Sequence, residues 1–308
     1  MAKTIAVTLI AGYLGVGKTT WLNAHLRNGV ASGTLVLVND FGAINVDAEL
    51  IDYQGDRLLK LSSGCLCCSL SDELGTQLSR IARWSEPPTQ VLIETSGVAR
   101  PTRIADLIRV ARQYHLTRIV TLIDLASLAT RLADRRVGDL IVEQIAAASE
   151  LSCNRGDTLD HSVQQQLQER LAALNPGASR SWETSSGGER ELGSVLEDLH
   201  ASRPRPRFRS VYRPAGPDPA WKRFAITLSA TLKRQELEAL LTAHADGIAR
   251  AKGFLQADGR HYVFQWSGDK AYWTPSSPRP GNGQLVGIGF DGVTFEALVA
   301  ALEALSTR

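Results

Sequence analysis

The sequence predicts an α/β fold with a mostly parallel sheet, followed by a smaller α+β domain. Three observations predict it. Short β-branched apolar runs alternate with helical stretches of about ten to fifteen residues over the first two-thirds of the chain. That alternation stops at "SRPRPRFRSVYRPAGPDP" (202–219), which is dense in Pro and Arg, has no apolar period and reads as an interdomain linker. Beyond it, strand-like and helix-like stretches are mixed in a different order. The expected division is 1–200, a linker at 201–220, and 221–308.

The elements follow in order. "TIAVTLI" (4–10) is an apolar run of strand length, and "TTWLNAHLRNG" (19–29) reads as a helix ending at Gly29. "TLVLV" (34–38) is a second buried strand, "NDFGAINVDAELID" (39–52) a polar loop, and "RLLKL" (57–61) a strand leading to a cysteine cluster. "SDELGTQLSRIARW" (71–84) has helical spacing with acidic residues in its first turn. "QVLIET" (90–95) is a strand, "PTRIADLIRVARQYH" (101–115) a helix opening on proline, and "RIVTLIDL" (118–125) a further strand. After the linker, "RFAITLSATL", "KRQELEALLTAH", "ARAKGFLQA", "YVFQW", "LVGIGF" and "FEALVAALEAL" supply the α+β domain.

Composition excludes some classes of function. The chain of 308 residues is 44% hydrophobic and 21% charged, enough to bury a large core without staples. A net charge of +2 gives no argument for nucleic acid or an anionic membrane as partner. No apolar stretch reaches bilayer length, and the N-terminal run lacks a suitably placed cleavage site. The expected compartment is the cytoplasm, where thiols stay reduced.

"GYLGVGKT" (12–19) fits G-x-x-x-x-G-K-[ST], directly after a strand and opening a helix. This is the phosphate loop of a P-loop NTPase domain. Backbone N–H groups of residues 14 to 19 curl round a phosphate only where Cβ clashes are absent, hence the glycines. The expected nucleotide-binding residues here are Gly15, Val16, Gly17, Lys18, Thr19 and Thr20. Lys18 neutralises the outer phosphates, and the Thr19 hydroxyl can hold Mg²⁺. "LIETSG" (92–97) ends a strand with Glu94, where Mg²⁺ or its waters would be met. Asp47, in the loop after the second strand, is a second catalytic candidate, placed to sense a γ-phosphate; a loop cap is the plainer reading.

The base is indicated by Asn154-Arg155-Gly156-Asp157. An Asp offers two acceptors in plane for the N1–H and amine of guanine, and an Asn beside it reaches N7 or O6. The guanine-selective pattern is N-K-x-D, so Arg155 replaces the usual Lys and is expected to stack on the base plane in its stead. A surface N-R-G-D turn is the competing reading. "TSSGG" (184–188) could wrap the base's other edge.

Three of the four cysteines, Cys65, Cys67 and Cys68, fall within four positions of "SSGCLCCSL". They are too close for a relaxed disulfide, and the spacing is not C-x-x-C. Buried inert thiols compete with a soft metal site, which explains the clustering best. Three thiolates do not close a tetrahedron, and the six histidines are scattered.

The ordered set "GYLGVGKTT", "VNDFGAINVD", "GCLCC", "ETSG" and "NRGD" resembles the CobW-like metallochaperone GTPases, relatives of the urease and hydrogenase maturation GTPases. "RAKGFL" (250–255) looks like that family's small C-terminal domain, with less specificity. The resemblance implies GTP hydrolysis with Mg²⁺, binding of Zn²⁺ or Co²⁺ at Cys65, Cys67 and Cys68, and delivery to a client metalloprotein. Ala43 stands where many members carry an acidic residue, and Pro and Arg stand where many carry a histidine-rich stretch. Two other readings compete: a nucleotide- and metal-binding regulator without delivery, and a P-loop ATP-dependent kinase. Sequence leaves open whether the chain forms a homo-oligomer.

Overall fold

In the computed structural model, strand β1 (Ile5–Ala11) is the centre of a seven-stranded sheet. Val7, Leu9, Ile10 and Ala11 are fully buried, as a strand covered on both faces requires. The structure describes residues 4–41, 58–63, 69–182, 220–229, 231–267, 269–278 and 283–306. The 202–219 stretch lies outside them. The other strands of this sheet are β2 (Thr34–Phe41), β3 (Leu58–Ser63), β4 (Gln90–Glu94), β5 (Tyr114–Asp124), β6 (Glu150–Asn154) and β7 (Ser179–Trp182). Their order is β3-β2-β4-β1-β5-β6-β7. The pairs β1–β4, β1–β5, β5–β6 and β6–β7 all run parallel.

Parallel pairing brings the carboxyl ends of β1, β4, β5 and β6 to one edge, and connecting segments there become neighbours. The register is explicit: Ile10 sits beside Glu94, and Asp124 beside Asn154. The helices that return the chain are α1 (Lys18–Arg27), α2 (Ser69–Ile81), α3 (Pro101–Val110), α4 (Leu125–Ala133), α5 (Gly138–Ala147) and α6 (His161–Leu174). The strand-helix pattern read from sequence left α4, α5, α6 and β7 unassigned.

The boundaries differ from expectation in two informative places. The helix expected over 101–115 stops at Val110, and Tyr114 already belongs to β5. Tyr114 is buried, pairs with Ile5 and donates its hydroxyl to the Leu78 carbonyl at 2.6 Å. That burial overrides the helical period of "ARQYH". Strand β2 continues through Asn39–Phe41, where a loop was expected to begin.

The C-terminal unit is an antiparallel sheet with the order β11-β10-β9-β12-β8. Its strands are β8 (Trp221–Thr227), β9 (Ile248–Ala257), β10 (Arg260–Ser267), β11 (Lys270–Pro275) and β12 (Gln284–Phe290). Asp258 and Gly259 turn β9 into β10 with φ of 48° and 72°, the two left-handed residues a tight hairpin demands. Helices α7 (Arg234–Ala243) and α8 (Val293–Ser306) contribute Leu237, Leu241, Leu298 and Leu302 to a core with Leu255, Phe264 and Trp266. No helix of the described residues is long and apolar enough to cross a membrane.

On α1, His25 is only 5% exposed and stacks on Trp21, with ring centroids 5.1 Å apart. Burial first, and the charge of Arg118 second, push its pKa down to about 4. The unfolded chain takes up this proton near pH 6.5, whereas the folded chain holds it off until about 4. Between those values the unfolded state binds more protons, so stability falls as pH falls through the window. The full effect is on the order of 3 kcal/mol. His25→Phe, which keeps a flat ring against Trp21, is expected to flatten the pH dependence of urea unfolding between pH 6.5 and 4. An unchanged slope in that window would show that His25 does not set it.

Candidate nucleotide site

The chain leaves β1 at Ala11 and enters α1 at Lys18 through six residues that hold an unusual backbone. Gly12 adopts φ +130°, and a Cβ there would sit 2.5 Å from the Leu122 carbonyl oxygen of β5. Only glycine fits, so the first position of the motif is fixed by contact with a neighbouring strand. Gly17 caps α1 at φ +95°, and Gly15 is also left-handed. The loop therefore wraps towards the N-terminus of α1, where orphan N–H groups and the helix dipole favour an anion.

Lys18 is buried, and its ammonium donates to the carbonyls of Gly12 at 3.0 Å and Tyr13 at 3.1 Å. The lysine thus closes its own loop into a ring. The Thr19 hydroxyl donates to Glu94 Oε1 at 2.8 Å, with Glu94 buried at the end of β4. Two oxygen donors expected to meet Mg²⁺ are therefore in contact, one at the start of α1 and one at the end of β4. Thr20 is exposed.

The segment after Glu94 is pinned to the phosphate loop. Thr95 donates its backbone N–H and its hydroxyl to the Ile10 carbonyl, at 2.9 and 3.2 Å. Gly97 lies so close to Leu14 that a Cβ would meet the Leu14 nitrogen at 2.6 Å. From α5, the buried Gln144 amide donates to the carbonyls of Gly97 (3.1 Å) and Ala99 (3.0 Å). Gln144's own carbonyl accepts from the Thr121 hydroxyl at 3.0 Å. Buried Arg100 forms an ion pair with Glu143, the neighbour of Gln144 on α5. Gln144 was not found by sequence reasoning. Its signal is a polar residue inside the apolar run "LIVEQIAA", which does not by itself name a partner.

The third component is Asn154-Arg155-Gly156-Asp157, at the end of β6. The Asn154 amide donates to the Val16 carbonyl at 2.8 Å, joining this turn to the phosphate loop. Asn154 Oδ1 is buried with no hydrogen-bond partner among the described residues. Asp157 is exposed, and Gln164 of α6 steadies its turn by donating to the carbonyls of Gly156 and Leu159 at 2.7 and 2.9 Å. The Arg155 guanidinium pairs with Asp124 at 2.7 Å.

Residues 6–181 match the family described as "CobW/HypB/UreG, nucleotide-binding domain". The chain belongs to this family. Residues 221–306 match the cobalamin synthesis protein CobW C-terminal domain. Among named relatives, the zinc chaperone YjiA of Escherichia coli is 27% identical over 297 residues, covering 90% of this chain and 89% of that protein. The zinc chaperone CobW of Pseudomonas aeruginosa is 27% identical over 220 residues, 60% of this chain and 58% of that one. The zinc-regulated GTPase metalloprotein activator 1 of Saccharomyces cerevisiae is 30% identical over 202 residues, 56% and 46% respectively. The match thus spans about half the length of the latter two relatives. The solved structure of the Zn(II)-bound YjiA GTPase from E. coli is similar at 22% identity and a TM-score of 0.43, over 98% of this chain and 99% of that one.

In this CobW-family chain, Asp47, Ala43, Cys65, Cys67, Cys68 and the "TSSGG" stretch lie outside the described residues. Among the described residues, no group of three or more His, Cys, Asp or Glu could hold a metal ion. The fourth cysteine, Cys153, is buried in β6.

Gly97→Ala tests the pinning of the phosphate loop. The added methyl must displace the Leu14 backbone, an overpacking cost of about 1–3 kcal/mol. The expected outcome is a lower melting temperature together with at least tenfold weaker nucleotide binding, read by thermal unfolding and by fluorescent-nucleotide titration. Wild-type values for both would remove Gly97 from the site.

Proposed function

We propose that the chain binds GTP, hydrolyses it to GDP and phosphate, and uses that cycle to hold Zn²⁺ or Co²⁺ and pass it to a client metalloprotein. The observation that carries this reading is the hydrogen bond from the Asn154 amide to the Val16 carbonyl. A phosphate loop alone would serve any nucleoside triphosphate. Joined to a turn that offers an Asn and an Asp, it favours guanine. Family membership supports the nucleotide, and the relatives named as zinc chaperones support the metal.

Phosphate oxygens accept N–H bonds from the 14–19 loop at the start of α1. Lys18 exchanges two neutral carbonyls for an anionic oxygen, and that bond is the stronger one. Thr19 and Glu94 suit Mg²⁺, since both present hard oxygen donors within one contact of each other. Thr19 would hold the ion directly and Glu94 through its waters. Bound there, Mg²⁺ neutralises charge on the phosphate oxygens. Asp157 supplies the acceptor pair for guanine, and Asp47 is the candidate sensor of the γ-phosphate.

The cargo site belongs to Cys65, Cys67 and Cys68. Thiolates suit a borderline-soft ion, and three of them leave one position for water or a partner. An open position suits an ion that is handed on. Because the cysteines follow the segment that would read the γ-phosphate, hydrolysis would reshape both and loosen the thiolate cage.

Two experiments test the reading. GTPase rate and Zn²⁺ affinity, measured on one sample, are expected to fall together in Cys67→Ser, with metal-stimulated hydrolysis lost. If both survive that change, the cysteine cluster is not the cargo site. Asp157→Asn is expected to shift base preference from GTP towards xanthosine nucleotides, seen in competition binding. An ATP-preferring wild type that ignores the substitution would instead favour a kinase.

A further inference from the structure

Arg155 is a residue with a side chain held at φ +55°, in a region that favours glycine. Something must hold it there, and its guanidinium identifies what. Nη1 donates to Asp124 Oδ2 at 2.7 Å, and Nη2 points at the Gly15 carbonyl of the phosphate loop at 3.4 Å. Asp124 uses its other oxygen differently: Oδ1 accepts from the Ala126 backbone N–H at 3.1 Å and caps α4. The parallel register places Asp124 directly beside Asn154, so the contact spans adjacent strand ends. One carboxylate therefore ties together the start of α4, the base-recognition turn and, through Arg155, the phosphate loop. Its side chain is 11% exposed and that of Arg155 48%.

The planar guanidinium serves the two acceptors from separate nitrogens, Asp124 from Nη1 and Gly15 from Nη2. The change from Lys to Arg in the N-K-x-D pattern thus pairs with a carboxylate one strand away.

We propose that Asp124 and Arg155 are positioning residues for base selection: the pair sets where Asp157 stands relative to the phosphate loop, and so fixes how strongly guanine is preferred. This rests on the guanine-nucleotide reading above. Neither residue touches phosphate chemistry; the pair acts through the placement of the turn. It predicts a loss confined to the base.

The test measures dissociation constants of full-length protein for GDP and for ADP. Asp124→Asn keeps an equally good helix cap but weakens the pairing with Arg155. It is expected to weaken GDP about tenfold, the size of a charge-assisted hydrogen bond, and to leave ADP within about twofold. The GDP-to-ADP ratio therefore narrows. Arg155→Ala, at a half-exposed position, is expected to narrow it likewise without touching the cap. In the double variant Asp124→Asn/Arg155→Ala the loss should equal that of either single change, because one contact cannot be lost twice. A guanine preference that survives Asp124→Asn and Arg155→Ala, or losses that simply add, overturns the inference and leaves the guanine reading intact. A wild type that binds GDP and ADP alike overturns both.

Discussion

Nothing larger than hydrogen fits between Gly97 and the backbone of Leu14, and the site depends on that approach. It forces two loops from neighbouring strands into contact at their backbones. A phosphate loop is held by little of its own: three of its residues are left-handed glycines, with no side chain to pack. It takes its shape from what it touches. On one flank Gly12 is pressed against the Leu122 carbonyl of β5, and on the other Leu14 rests on Gly97. Because β4 and β5 lie on either side of β1, both contacts follow from strand order alone.

Holding Gly97 in place is the task of α5. Gln144 spends its amide on two carbonyls of the 97–99 turn while Thr121 anchors the helix from β5. These groups are buried, and a buried amide or hydroxyl without its partner costs about 1–3 kcal/mol. The network is thus stiff, since any shift of the turn breaks bonds that water cannot replace. The Arg100–Glu143 pair repeats the arrangement one residue along each segment. Glu94, at the start of the same turn, inherits this rigidity, and Thr19 meets it at a fixed distance.

Local motifs were legible in the sequence because their spacing is their mechanism. Gly12, Gly17, Lys18 and Thr19 occupy fixed offsets around one turn, and a strand before and helix after supply the context. The parallel sheet was legible for the same reason, through the alternation of apolar runs. What escaped is long-range. Gln144 acts on residues 45 and 47 positions away, and Asp124 on one 31 positions away. Each is a single polar residue whose partner is chosen by strand order, which no local pattern encodes. Tyr114 escaped by the opposite route: its stretch has a helical period, but pairing with Ile5 and burial against Leu78 decide for strand. Arg155 was found, yet its partner Asp124 was not, because that carboxylate comes beside it only once β5 and β6 are side by side.

These ties also account for where Lys18 rests. An ammonium buried in a small loop must be hydrogen-bonded. The Gly12 and Tyr13 carbonyls serve, at 3.0 and 3.1 Å, and so the lysine holds the loop curved around it. A phosphate entering that curve finds the cation already inside. The ammonium gains a charge-assisted bond to the anionic oxygen, while Gly97 and Leu122 hold the backbone on either flank. Affinity in such a loop therefore comes from a shape fixed in advance by the neighbouring strands, with little ordering left to be done at binding.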